Sequence, residues 1–190
     1  IDEAHGTHFF CSTSNLLPIS GVKVGADIVV HSLHKSSVGL AQTAVLWSQG
    51  DLVDPEIIER SITWLQTSSP SSLLLASCES SLKEWLTKKG QRKLTSLLEL
   101  GNNIYRELCL SGIPLLKTQD PLKLVLHTSS KGISGFFADS WFINKRVIAE
   151  LPEPGTLTFC LGFCKHNGLV KSITNKWNDL LISNNEKTLY

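Results

Sequence analysis

The 190-residue sequence contains no methionine, carries little excess charge, and has no long apolar run. Its purely apolar stretches, such as Leu73 to Ala76, are far too short to span a bilayer. The formal net charge of +1 argues against a broad surface for nucleic acid or for an anionic membrane. Nothing at the start reads as a signal peptide, so a cytoplasmic protein is expected. A chain without methionine that opens on Ile1, in what reads as the end of a buried strand, is expected to be a piece of a longer one with its upstream part missing. Disulfides are not expected either. Cys11, Cys78, Cys109, Cys160 and Cys164 are odd in number and scattered. Cys160 and Cys164, even with His166 nearby, do not have a zinc spacing, and all five cysteines read as free thiols with no metal.

What is present is the composition of a globular protein, 42 % hydrophobic and 18 % charged. Residues 24–35 hold a short β-branched run after a glycine turn, the pattern of a strand buried on both faces as in a parallel sheet. Thr43 to Trp47 reads as a second strand. Asp54-Pro55-Glu56 is a helix start, with a capping side chain, a proline suited to the first turn and an acid at the positive end. Ile57, Ile58, Ile62 and Leu65 continue it at helical spacing. Residues 67–72 form a polar loop around Pro70. Leu73 to about Leu110 is mostly helical, with a break near Gly90. Beyond Pro114 the elements shorten: a strand over 122–127, a helix over 134–144, a strand over 157–161 and a helix over 169–182. That alternation predicts a small α/β or α+β domain, giving a division into residues 1–112 and 113–190. The five tryptophans read as core or interface residues.

Two clusters carry chemistry: Asp2-Glu3-Ala4-His5-Gly6 and Ser32-Leu33-His34-Lys35-Ser36. Each follows an apolar strand, and in open α/β sheets ligands bind at the carboxyl ends of strands. A lysine there is costly to bury unless it finds a partner, lowers its pKa or becomes a Schiff base. From the residues alone, Lys35 reads equally as a functional lysine and as a strand-end lysine in water.

These runs resemble the cofactor core of the ornithine/lysine/arginine decarboxylases, pyridoxal-phosphate enzymes of the aminotransferase-like fold. The likeness rests on Asp-Glu-Ala-His-Gly-x-His-Phe from Asp2 and on Gly-Ala-Asp-Ile-Val-Val-x-Ser-x-His-Lys ending at Lys35. It continues through Gln42 to Ala44, Leu65 to Ser71, Leu74 to Ser77, Asp120 to Val125, Gly135 to Trp141 and Val147 to Pro152. It implies an α/β fold: the carboxyl-terminal part of the large cofactor domain, followed by a small domain.

By resemblance, Lys35 would hold pyridoxal 5'-phosphate as a Schiff base and serve in proton transfer. Asp2 would pair with the pyridine nitrogen, and Ala4 would let the ring lie against its strand. Ser32 would donate to the phosphate, and His34 would contact the phosphate or handle protons. Thr67 and Ser68 resemble a loop that reaches the phosphate of a neighbouring subunit, which implies a homodimer or larger homo-oligomer; a plain polar connector is the other reading. His5 is placed near the cofactor and His8 on a loop. Glu150 is the first candidate to pair with the distal cation of a basic amino acid, with Asp139 and Glu153 behind it; a solvated carboxylate at a strand end is the alternative. The family's glycine- and serine-rich phosphate cup and its ring-stacking aromatic residue would lie upstream of Asp2.

Three rivals are weighed. Asp-Glu-Ala-His is also the magnesium-binding tetrapeptide of the DEAH-box helicases. The arginine-rich motifs of a helicase are missing, and the residues after His5 do not continue one. Another pyridoxal-phosphate enzyme of the same fold, an aminotransferase or a carbon–sulfur lyase, would share the Asp and Lys. A non-catalytic remnant, or one half of a split decarboxylase, is the third.

Overall fold

The computed structural model describes residues 1–163 and 167–187. The chain divides into two compact units, Ile1–Thr95 and Ser96–Tyr190, with the division inside one long helix.

In the first unit the opening segment leads into a short helix α1 (Thr7–Cys11). Strand β1 (Ile28–Ser32), a one-turn helix α2 (Leu33–Ser36) and strand β2 (Ala44–Ser48) follow. Ile28, Val29 and Val30 suit a pleated, half-buried surface. β1 pairs with β2 in antiparallel register, Ile28 opposite Ser48 and Ser32 opposite Ala44. On its other edge β1 meets the opening segment in parallel, with Asp2 opposite Val30. The expectation of a strand buried on both faces in a parallel sheet is therefore corrected. β1 has one neighbour of each sense, and its residues alternate between buried and half-buried. The cause is the short connection to β2, since a parallel partner would need a crossover of a dozen or more residues. Here residues 37–43 turn back with Gln42 at φ 72°, and both the Thr43 N–H and Thr43 Oγ1 donate to Leu40 O.

Helix α3 (Pro55–Leu65) begins where the sequence indicates: Asp54 Oδ1 accepts the Glu56 N–H at 2.9 Å. Its apolar residues are not buried among the described residues, and Trp64 and Leu65 are 84 % and 89 % exposed. Helix α4 (Ser72–Leu86) is capped by Ser71, whose Oγ accepts the Leu74 N–H. The break expected near Gly90 falls at Thr87, and helix α5 (Lys88–Leu110) starts immediately after it. Thr87 Oγ1 donates to Glu84 O at 2.8 Å and accepts the Gly90 N–H at 3.0 Å, so one hydroxyl serves both helix ends. Gly90 lies so close to the end of α4 that a Cβ there would overlap the Glu84 carbonyl oxygen. Val29, Leu33, Trp85 and Leu94 are buried in this unit.

The second unit contains β3 (Leu115–Leu116), β4 (Lys123–Leu126), α6 (Gly135–Asn144), β5 (Leu151–Pro152), β6 (Leu157–Cys160) and α7 (Leu169–Lys187). Its strands form an antiparallel sheet in the order β3-β4-β6-β5, with Lys123 opposite Cys160 and Leu126 opposite Leu157. Alternation along β4 and β6 buries Leu124, Leu126, Leu157 and Phe159. Phe142 of α6 meets Phe159 edge to face at 5.5 Å, and α7 adds Ile173, Trp177 and Leu180 to the buried set. Among the described residues no helix is long and apolar enough to cross a membrane.

The close approach at Gly90 gives a direct expectation. Gly90→Ala should cost about 1–3 kcal/mol, the usual range for forcing extra atoms into a filled site. Chemical denaturation measures it, and an unchanged midpoint would mean that the two helix ends part without strain.

Candidate functional site

The site is built from backbone pairing. The Glu3 N–H donates to Val30 O at 3.0 Å, the Val30 N–H to Ile1 O at 3.1 Å, and the Ser32 N–H to Ala4 O at 3.2 Å. Paired residues on neighbouring strands project to the same side, and successive residues to opposite sides. Asp2 therefore shares one face with Val30 and Ser32, while Glu3 and His31 take the other; at Ala4 the chain leaves the strand for a turn. Asp2 is exposed, and its Oδ1 accepts the Ala4 N–H at 3.0 Å.

β1 runs directly into α2, so Ser32 becomes the N-cap and Lys35 sits on the turn that follows. His34 and Lys35 are both exposed. Lys35 makes no hydrogen bond or ion pair among the described residues. His34 Nδ1 lies 2.9 Å from Thr43 O. A carbonyl only accepts, so His34 Nδ1 carries a proton, and in the neutral ring Nε2 is the acceptor. Ser36 fastens the turn after Ala4 to this helix: its Oγ accepts the Thr7 N–H at 3.0 Å and donates to Thr7 Oγ1 at 2.8 Å.

The remaining sequence candidates are more dispersed. His5 is half-buried in the turn after Ala4. Thr67 and Ser68 lie exposed between α3 and α4, where Thr67 Oγ1 accepts the Ser69 N–H at 3.2 Å. Glu150 belongs to the second unit; it is exposed, and its N–H donates to Thr158 O at 2.8 Å. Asp139 and Glu153 are in that unit as well. His8, expected on a loop, is corrected: it lies on α1 and is 2 % exposed, its ring edge-on to Phe9 at 4.5 Å. The short helix turns that side chain inward, where a loop would have left it in water. Cys160 is exposed at the end of β6, and Cys164 and His166 lie outside the described residues.

Sequence reasoning missed a buried polar chain on the opposite face. Glu3 Oε2 lies 2.6 Å from His31 Nε2 and accepts from Ser20 Oγ at 2.6 Å; Glu3 Oε1 accepts the Gly21 N–H at 3.0 Å. Trp47 Nε1 donates to His31 Nδ1 at 2.8 Å. An indole N–H can only donate, so Nδ1 accepts, and the His31 proton sits on Nε2, aimed at the carboxylate. His31 is fully buried, and Phe10 stacks on Trp47 at 4.7 Å. The available signal was a histidine directly after the Ile28-Val29-Val30 apolar run and still within the strand. Burial pushes the Glu3 carboxyl up, but hydrogen bonds from Ser20, His31 and Gly21 outweigh it and hold the group below its ordinary value. Burial pushes the Cys11 thiol up to about 11, which removes it as a nucleophile.

Pyridoxal phosphate needs an amine free to condense with its aldehyde, a carboxylate for the ring nitrogen, a small residue against the ring and donors for the phosphate. An exposed, unpartnered Lys35, an exposed Asp2, the small Ala4 in the turn that follows it and the neighbouring Ser32 hydroxyl fit that set.

The fold is that of part of the lysine decarboxylases, about a third of their length. The constitutive lysine decarboxylase of E. coli superposes with a TM-score of 0.73 at 17 % identity, over 94 % of this chain and 32 % of that one. Lysine decarboxylase A from Pseudomonas aeruginosa gives a TM-score of 0.75 at 12 % identity, over 95 % of this chain and 32 % of that one. Residues 1–125 match the major domain of the Orn/Lys/Arg decarboxylases, and the chain belongs to that family. An arginine decarboxylase of Bacillus subtilis is 31 % identical over 152 residues, covering 74 % of this chain. The chain spans about 30 % of that relative's length.

The lowered Glu3 group sets an acid limit. Its stabilisation is fully present above the ordinary glutamate value, about 4.3, and fades as the pH falls through the lower value of the folded state. The stability difference between the parent and Glu3→Gln, measured by denaturant unfolding, should therefore be constant near neutral pH and shrink below about pH 4. A difference independent of pH down to 3 would contradict it.

Proposed function

We propose that this chain carries part of the pyridoxal-phosphate site of a decarboxylase acting on a basic amino acid: lysine, ornithine or arginine. The observation that carries this reading is the parallel pairing of the opening segment with β1. It sets Asp2 on one face with Val30 and Ser32, with Ala4 in the turn just after it, directly before the exposed Lys35. Membership of the decarboxylase family supports it and favours it over an aminotransferase or a carbon–sulfur lyase.

In this reading Lys35 holds the cofactor and accepts it back after each turnover. Asp2 keeps the pyridine nitrogen protonated through a charge-assisted bond. Ala4 leaves room against its strand. Ser32 donates its hydroxyl to the phosphate, and Thr67 and Ser68 do the same to a neighbouring subunit of a homodimer or larger homo-oligomer. His34, its proton committed to Thr43 O, offers Nε2 as an acceptor beside Lys35, and His5 borders the cofactor. Bound pyridoxal phosphate supplies the electron sink for the charge left when carbon dioxide departs. Glu150 is the carboxylate proposed for the distal cation of the substrate. The large-domain part runs to residue 112 and the small domain from 113. The enzyme works in the cytoplasm and feeds polyamine synthesis with the amine product.

Borohydride reduction of the full-length protein followed by peptide mass analysis tests the cofactor assignment. The pyridoxyl mass should sit on Lys35 and vanish in Lys35→Ala, together with carbon dioxide release from basic amino acids; the same mass on another lysine would refute the assignment. For Glu150, the Gln variant should raise KM about tenfold or more with kcat less affected, the scale of one charged hydrogen bond. An unchanged KM would return Glu150 to the role of a solvated carboxylate.

A further inference from the structure

The buried chain Ser20–Glu3–His31–Trp47 takes no part in the proposed chemistry, yet it lies directly behind it. Glu3 stands between Asp2 and Ala4, and His31 between Val30 and Ser32, each on the opposite face of the paired strands. The opening segment is held to β1 by few backbone bonds. Such short pairings are weakly specified, and a slip of one residue would send every side chain to the wrong face. With Asp2 turned behind the sheet, the face that carries Ser32 would lose its carboxylate. The 2.6 Å contact between Glu3 and His31 forms only in the observed register.

We propose that Glu3 and His31 are positioning residues, whose contact fixes the register that presents Asp2 to the cofactor beside Ser32. This rests on the pyridoxal-phosphate reading above. The carboxylate is required, and a shape of the right size is insufficient, because each oxygen faces a donor that cannot turn away. Glu3 Oε1 faces the backbone N–H of Gly21. Glu3 Oε2 faces His31 Nε2–H, whose proton is held there by the indole of Trp47. An amide in either orientation would set an NH₂ against one of these donors.

The test uses the full-length protein and pyridoxal phosphate itself as the probe, with cofactor affinity and the visible spectrum of the Lys35-bound cofactor as readouts. Glu3→Gln should weaken cofactor binding about tenfold, the scale of one hydrogen bond to a charged group. It should also shift the bound spectrum in the same direction as Asp2→Asn. The double variant should bind little more weakly than Asp2→Asn alone, because Glu3 acts through Asp2; a merely structural loss would add. Trp47→Phe, which removes the indole donor and keeps an aromatic ring there, should show the same spectral shift at smaller amplitude, and it serves if Glu3→Gln does not fold. Parental affinity and spectrum in folded Glu3→Gln or Trp47→Phe would overturn the positioning role, as would full additivity with Asp2→Asn. Borohydride-fixed cofactor persisting in Lys35→Ala would instead strike the cofactor reading itself, so the two failures are distinguishable.

Discussion

A strand shows alternate residues to opposite faces, and the first unit depends on using both. Asp2 and Ser32 face one way, and Glu3 and His31 the other. The backbone bonds between Ile1–Ala4 and β1 cannot by themselves choose a register, because any shift by two residues restores a similar ladder. Side chains must choose. A carboxylate buried beside a histidine is costly unless every lone pair and proton is satisfied. Here Ser20, Gly21 and His31 donate to Glu3, and Trp47 donates to His31. Any other register would leave at least one buried donor without its acceptor, a penalty of about 1–3 kcal/mol for each group.

Local signals in the sequence were sufficient wherever a single element decides its own fate. Asp54-Pro55-Glu56 starts a helix because the Asp54 side chain and the Pro55 ring act within one turn. The β-branched run at Ile28–Val30 and the polar loop ending at Ser71 are legible for the same reason. The break in the long helix was visible through Gly90, but its position was displaced to Thr87, since the glycine marks the close approach and the threonine hydroxyl makes the ends. Pairing sense was not legible. The run around His31 looks alike beside parallel or antiparallel neighbours, and only the back-turning residues 37–43, with Gln42 at positive φ, force β2 alongside β1.

The candidate site divides in the same way. Lys35, His34 and Ser32 are consecutive or nearly so, and Asp2 and Ala4 fall in one short motif, so their grouping could be read from the order of residues. Glu3 and His31 are 28 positions apart, and although Glu3 lies inside the first motif, nothing in the order of residues joins it to His31. Their importance comes from the spatial alternation of neighbours already singled out. The apolar pattern of α3 shows the converse. Ile57, Ile62 and Leu65 announce an amphipathic face, but periodicity says only that such a face exists, and among the described residues nothing buries it.

The separation of the two faces has a consequence for the energetics of a catalytic surface. Residues that hold a cofactor work best exposed and free of competing partners, as Lys35 is, and so contribute little to folding. Their precision has to come from elsewhere. In this chain it comes from groups one residue away along the same strands, buried and fully hydrogen-bonded, where a low dielectric strengthens each bond. The strand thus transmits order from a stabilising face to a reactive one through a single peptide unit. No flexible side chain intervenes between the anchor and the residue it positions.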